Sequence, residues 1–248
     1  MEEKLAIRVK DLHIYYKVMA GFSIKKSLFR LKKGELKSVH AVDGISFEVK
    51  RGEILGILGL NGSGKSTTLR SIAGILQPDS GSVELFGNSI TLLSLGVGFN
   101  REVSGRDNIV LSGMLLGFSE KEIMEKMDAI IEFSELGNAI DMPVRTYSSG
   151  MESKLSFAIT AMLETDIVLI DEVLSVGDTR FRKKSYDKMK EIVLDEDRTA
   201  VIVSHQESTL RELCTQILWM EKGRIRMIGP TEEVLEKYIA EMDAPAAK

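Results

Sequence analysis

Residues Gly59 to Thr67 read G-L-N-G-S-G-K-S-T, a spacing of glycines, hydroxyls and one lysine that suits phosphate binding. Gly59, Gly62 and Gly64 let the backbone turn tightly and aim successive N–H groups at phosphate oxygens. Lys65 is long enough to reach β- and γ-phosphates, and the Ser66 hydroxyl is a ligand type for Mg²⁺. Asn61, Ser63 and Thr67 complete the same loop. The preceding run Ile54 to Leu58 is short and apolar, as a buried parallel strand should be, and Leu69, Ile72, Ala73 and Leu76 follow in helical spacing. A helix starting near Lys65 would add its positive end to the anion site. Glycine-rich patterns arise by chance in loops, but not often between such a strand and such a helix. The segment predicts binding of a nucleoside triphosphate.

Other residues could complete the chemistry. Ile167 to Ile170 is an apolar strand that ends in Asp171-Glu172. Beside a phosphate loop, Asp171 would hold Mg²⁺ through water, and Glu172 would polarise an attacking water. An exposed acidic turn would not normally follow four such β-formers. A further strand, Val201 to Val203, ends at Ser204-His205, which puts His205 where it could contact a γ-phosphate. Alone, a histidine at a strand end is more often structural. Tyr147-Ser148-Ser149-Gly150-Met151 precedes the helical run Leu155 to Leu163. Ser148, Ser149 and the Gly150 backbone thus form a second anion site at a helix N-terminus, one that need not serve its own chain's loop.

These groups need a scaffold. The chain has 248 residues, 44% of them hydrophobic, enough to bury a full core. Mean hydropathy is near zero, and no stretch approaches the ~18 apolar residues that span a bilayer. The start, MEEKLAIRVK, lacks the apolar core of a secretory leader. Cys214 is the single cysteine and lies in an apolar stretch, which fits a buried thiol in a reducing compartment. Net charge is −4 and argues neither for nor against nucleic acid. The expectation is a soluble cytosolic protein.

Strand signals at Leu5 to Val9, Ile45 to Val49 and Val83 to Phe86 give way to a helical texture from about Arg106 to Leu163. Strands return at Ile167 to Ile170, Ala200 to Val203, Ile217 to Met220 and Arg224 to Ile228. An α/β core interrupted by a helical subdomain follows. Its parts are the first core segment 1–92, a helical subdomain 93–163, the second core segment 164–230, and a short helix and tail 231–248. A basic insertion, about 19–39, fits neither pattern. Within it Ile24, Leu28 and Leu31 fall on one side of a possible short helix whose other side is basic. That helix is either a solvated surface element or one lying near anionic headgroups or a membrane partner. No interleaved aromatics support nucleic acid.

Taken together, the motifs resemble those of the nucleotide-binding subunit of an ABC transporter, over nearly the whole chain. Gly59 to Thr67 matches the Walker A loop, and Ile167 to Glu172 matches Walker B with its catalytic glutamate. Tyr147 to Met151 matches the family signature, Ser175 to Asp178 the D-loop, and His205 the switch histidine. The resemblance implies a P-loop NTPase (RecA-like) core of ABC ATPase type, with ATP and Mg²⁺ as cofactors. It assigns catalysis to Glu172 and His205, and nucleotide contacts to the Walker A residues, Ser148, Ser149, Gly150 and Asp178. Tyr16 fits the aromatic that stacks on adenine, with Tyr15 as the alternative.

The departures narrow the group. The Tyr-Ser-Ser-Gly-Met signature, the D-loop Ser175-Val176-Gly177-Asp178 and the run Leu95 to Ile109 resemble exporters of lipid-linked polysaccharides, which include teichoic acid, O-antigen and rhamnose-polymer transporters. The basic insertion after Tyr16 is similar to one in that group. No glutamine occurs between Leu85 and Asn108, so the Q-loop glutamine is missing, with Asn100 and Glu102 as possible substitutes. The chain stops soon after Glu232 to Met242, which leaves no room for the extra C-terminal sugar-binding domain that some O-antigen exporters carry. The resemblance further implies a head-to-tail ATP-sandwich homodimer, peripheral on the cytoplasmic face of the membrane. A transmembrane permease would face the basic insertion and the Leu95 to Arg106 loop and would contact the polysaccharide cargo; no nucleic acid partner is implied. Rival readings are an importer or drug-exporter ATPase, or a non-transport ABC ATPase. Against the last, the chain has neither a long coiled-coil insertion nor a second cassette.

Overall fold

A computed structural model describes residues 4–19, 36–93, 98–171 and 178–243. Glu172, Ser175, Val176, Gly177, Leu95 to Val97 and most of the basic insertion lie outside the described residues. The early alternating segments form a long hairpin. β1 (Leu5–Met19) pairs antiparallel with β2 (Leu36–Lys50), from Leu5 opposite Lys50 to Met19 opposite Leu36. β3 (Ile54–Leu58) leads into α1 (Lys65–Ile72), and β4 (Ser80–Glu84) returns to the free side of β1. The result is a separate three-stranded sheet, ordered β2-β1-β4.

β5 (Ile90–Leu93) precedes the helical part: α2 (Gly105–Leu115), α3 (Glu120–Ser134), 3₁₀ turns at Gly137–Asp141 and Val144–Thr146, and α4 (Ser149–Met162). β6 (Ile167–Asp171), α5 (Thr179–Val193), β7 (Thr199–Val203), α6 (Glu207–Leu213), β8 (Gln216–Glu221), β9 (Arg224–Pro230) and α7 (Thr231–Met242) follow. The second sheet runs β5-β6-β7-β3-β8-β9 and is parallel except for the β8–β9 pair. β3 and β7 are buried throughout, which explains their continuous apolar sequence.

Three buried clusters hold these layers. One packs α4, α5, α6 and α7 on the parallel sheet through Phe157, Phe181, Leu210 and Val234. A second fills the space between the two sheets and α1, with Ile7, Ile45, Leu55, Leu69 and Val201. The third joins α2, α3 and α4 around Ile109, Ile123, Ile130 and Leu155. Cys214 is buried in the first cluster, and burial pushes its thiol up to about 12.

Two expectations change. The first strands run well beyond Leu5 to Val9 and Ile45 to Val49 and form their own sheet; register shifts within the hairpin break the alternation that would have shown their length. The basic insertion of about 19–39, which fits neither pattern in the sequence, has Met19 in β1 and residues 36–39 in β2.

Candidate nucleotide site

The phosphate loop connects buried β3 to α1 and needs its glycines. Gly59, Gly62 and Gly64 have φ of 150°, 80° and 104°, which side-chain-bearing residues rarely adopt. A Cβ on Gly64 would lie 2.4 Å from the Ala41 carbonyl oxygen, and one on Gly59 would lie 2.2 Å from that of Met220. Ala41 is skipped where the ladder passes from Ile14–Val42 to Tyr15–His40, so this irregularity in β2 is what touches the loop. The loop is also tied to the β8–β9 turn: Gly223 N–H donates to Ser63 O at 3.0 Å, and Asp43 N–H donates to Gly223 O at 2.8 Å.

Lys65 is buried, and its Nζ donates to Gly59 O at 2.8 Å and Leu60 O at 3.0 Å, folding the ammonium back over the loop. The β6–β7 register sets Asp171 opposite Val203, so Asp171 and the strand leading to His205 end side by side. Ser66 Oγ donates to Asp171 Oδ1 at 2.9 Å across 105 residues of sequence. Asn61, Gly62, Lys65, Ser66, Asp171 and His205 are among the residues lining a cavity of about 350 Å³, and Gly64, Thr67 and Val203 complete its wall.

Three features test the fit to a Mg²⁺-bound triphosphate. A Cβ on Gly62 would meet nothing within 4 Å, so the loop backbone faces open space there. Ser63 is 4% exposed and its Oγ has no hydrogen-bond partner among the described residues, but it does not line the cavity and so is neutral to the fit. A hydroxyl and a carboxylate in contact form the oxygen donor pair that Mg²⁺ takes. The residues fit the group.

The two tyrosines are now distinguishable. Tyr15 OH bonds His13 Nδ1 at 3.0 Å, and its ring lies 4.4 Å from that of His40. Tyr16 is 41% exposed and lies opposite Val39, two residues along β2 from Ala41. Tyr15 is occupied structurally, and Tyr16 is the one with a face to offer.

The signature residues sit at the start of α4. Ser148 is its N-cap, with Oγ accepting from Met151 N–H at 3.3 Å, while Ser149 and Gly150 follow at the surface. Tyr147 is buried and donates to Ala139 O at 2.6 Å, anchoring the loop instead of presenting to solvent. Asp178 caps α5: its Oδ1 accepts from Arg180 N–H and Phe181 N–H, each at 3.0 Å. Its Oδ2 accepts from Lys154 Nζ at 2.8 Å. That Lys154 contact, together with the Phe181 and Arg180 amides, holds the carboxyl down to about 2.

Neither possible substitute for the missing glutamine lines the cavity. Asn100 Oδ1 accepts from Glu102 N–H at 3.1 Å, and Glu102 pairs with Arg145 at 3.6 Å. The residue that sequence reasoning missed here is Asn108. It is buried, accepts from Asn100 N–H at 2.8 Å, and donates to Asn100 O, Val103 O and Ser104 O. Lys154 was missed as well, because a lysine within a helix carries no signal of a partner on another helix.

The family model of the ABC transporter matches residues 42–175, more than half of the chain and inclusive of the phosphate loop and Asp171. The chain belongs to the ABC transporter family. Within that family it is similar to the O-antigen export system ATP-binding protein RfbB of Klebsiella pneumoniae, at 41% identity over 92% of this chain and 94% of the relative. It is also similar to the teichoic acids export ATP-binding protein TagH of Enterococcus faecalis, at 42% identity over 97% of this chain. This ABC chain spans 54% of that relative's length. Among solved structures, an ATP-binding subunit of an ABC transporter matches with a TM-score of 0.71 over 94% of this chain and 93% of that one, at 19% identity. A dimeric ATP-binding cassette, described as a post-hydrolysis state bound to ADP and Pi, matches with a TM-score of 0.69 over 91% of this chain and 98% of that one, at 18% identity. At those identities the structures establish the ABC ATPase fold. No helix among the described residues is long and apolar enough to cross a membrane.

Proposed function

We propose that this chain is the ATP-hydrolysing subunit of an ABC exporter for a lipid-linked cell-envelope polysaccharide of O-antigen or teichoic acid type. The contact between Ser66 Oγ and Asp171 Oδ1, beside Lys65 and the open loop backbone, carries the hydrolytic reading. The cargo class rests on the O-antigen and teichoic acid relatives. The protein would work at the cytoplasmic face of the membrane with a permease, which would contact the polymer and face residues 95–106 and the basic insertion.

In this reading the loop amides and Lys65 hold the triphosphate, and Tyr16 covers the base. Ser66 and Asp171 would hold Mg²⁺, which would supply charge neutralisation at the triphosphate when bound. Glu172 takes the proton of the attacking water, and His205 contacts the γ-phosphate from the end of β7. Ser148, Ser149, Gly150 and Asp178 face the nucleotide of a second copy. The chain carries one copy of each half-site, which two-fold symmetry completes. Loss of the γ-phosphate removes the charge that both surfaces grip and lets the copies part.

The test uses the full chain, with and without its permease. Lys65→Ala removes nucleotide binding. Glu172→Gln binds ATP but slows turnover by roughly 10²–10⁴-fold, the range for losing a general base, and accumulates as an ATP-bound dimer by light scattering. A Glu172→Gln chain that stays monomeric at saturating ATP rules out the sandwich. For the cargo, cells lacking this chain should retain the lipid-linked polymer on the cytoplasmic side. Normal surface polymer in those cells rules out that assignment.

A further inference from the structure

Lys154 lies on α4, six residues after the Ser148 cap, and is 15% exposed on its side chain. Three partners converge on it. Its Nζ donates to Asp178 Oδ2 at 2.8 Å, pairs with Glu135 Oε2 at 3.5 Å, and stands 4.9 Å from the centre of the Phe181 ring. The three partners lie on two other helices. Asp178 and Phe181 open α5; Glu135 ends α3, in a left-handed conformation at φ 57°. Glu135 is bound from the other side by Lys184 of α5, at 3.1 Å. The lysine that follows the signature loop is therefore linked to the residue that caps α5.

Most ion pairs in this molecule are exposed and contribute little. This one differs in connectivity, since it joins the helix of the signature loop to the cap of α5. Glu135 is held below its ordinary value: partial burial opposes ionisation, but Lys184 and then Lys154 outweigh it. The carboxylate of Asp178 has both oxygens committed, one to the α5 amides and one to Lys154. Tilting α4 away from α5 would break the Lys154 contact and leave a mostly shielded ammonium short of one partner.

We infer that Lys154 is a positioning residue, a latch that makes the signature end of α4 and the Asp178 end of α5 move as one body. It does not line the cavity beside the phosphate loop. Its effect is to bring Ser148 and Asp178 to the second copy's ATP together, so that closure is a single step. The inference rests on the sandwich reading above.

The test compares Lys154→Met, which keeps the aliphatic stem over Phe181, with Lys154→Arg, which keeps the charge. In the full chain, Lys154→Met should lower kcat about tenfold while KM for ATP changes by less than about twofold, because the phosphate loop of the same copy is intact. Lys154→Arg should restore most of kcat. A purely structural role would instead lower the urea midpoint and leave kcat unchanged. In a Glu172→Gln background, Lys154→Met should weaken ATP-dependent dimerisation by a similar factor. If Glu172→Gln dimerises and Lys154→Met alters neither that nor kcat, the latch is overturned and the sandwich stands. If Glu172→Gln never dimerises, both fall. Should Lys154→Met fail to fold, Asp178→Asn decides: its amide oxygen still accepts the α5 cap bonds, but it presents no carboxylate to Lys154. Pairing it with Lys154→Gln, which removes the charge and keeps a polar side chain, must show non-additive losses in kcat; additive losses overturn the latch.

Discussion

Asp178 shows how one side chain can be fixed by neighbours from opposite directions. Lys154 and the backbone amides of Phe181 and Arg180 favour its charged form, and the carboxyl titrates at about 2 instead of its ordinary 3.8. The sign follows from linkage. A folded-state value below the unfolded one gives stability that is fully present above the unfolded value and is lost as pH falls through the folded one. The Asp178 contacts should therefore be complete at pH 5 and above, and should fail only near pH 2. Carbon-detected NMR of the carboxyl should give a midpoint near 2 in the native chain, and Lys154→Met should move it up toward 3.8. An unmoved midpoint would mean that the two helix amides alone depress it. The side chain is largely exposed, so its free-energy weight is small.

At the level of elements, α2 and α3 each begin with a capping box. Ser104 with Asp107 starts the first, and Ser119 with Glu122 starts the second. Asn108, one turn into α2, then holds the approach to that helix by bonding Asn100, Val103 and Ser104. Asn108→Leu has the right volume but leaves the Asn100 amide without its acceptor and takes one donor from each of three carbonyls that keep only a backbone partner. It should cost about 3 kcal/mol, visible as a lower urea midpoint with an unchanged slope. Elements of this kind differ in how legible they are. β3, β6 and β7 announce themselves as apolar runs because parallel strands are covered on both faces. The loop after β3 was equally plain, since few sequences place three glycines, a lysine and three hydroxyls between an apolar strand and a helical pattern. The hairpin was only partly legible, because its register shifts put like residues on opposite faces. β5, four residues at a sheet edge, has too few positions to show a period. The Ser66–Asp171 contact was expected from the motif pair, whereas Lys154 to Asp178 depends on how two helices lie together and left no trace in spacing.

Across the whole molecule the two sheets meet at the phosphate loop. Ala41 of β2 presses its carbonyl toward Gly64, and the Gly223 turn bridges Asp43 and Ser63. Nucleotide binding is thereby tied to the packing of one sheet on the other. Gly64→Ala would combine a φ of 104° with a Cβ 2.4 Å from the Ala41 oxygen. It should cost at least about 2 kcal/mol and also weaken ATP binding, since the sheets must separate or the loop must distort. Urea denaturation with and without ATP measures both effects. A variant that loses stability yet binds ATP normally would show that the loop yields less than the sheets.

Cys214 bears on the protein's chemistry in another way. A sulfur that stays protonated near neutrality and is walled in by α6 and the β-sheet has neither the thiolate nor the access that peroxide requires. Oxidative stress should therefore pass this ATPase by at its one thiol.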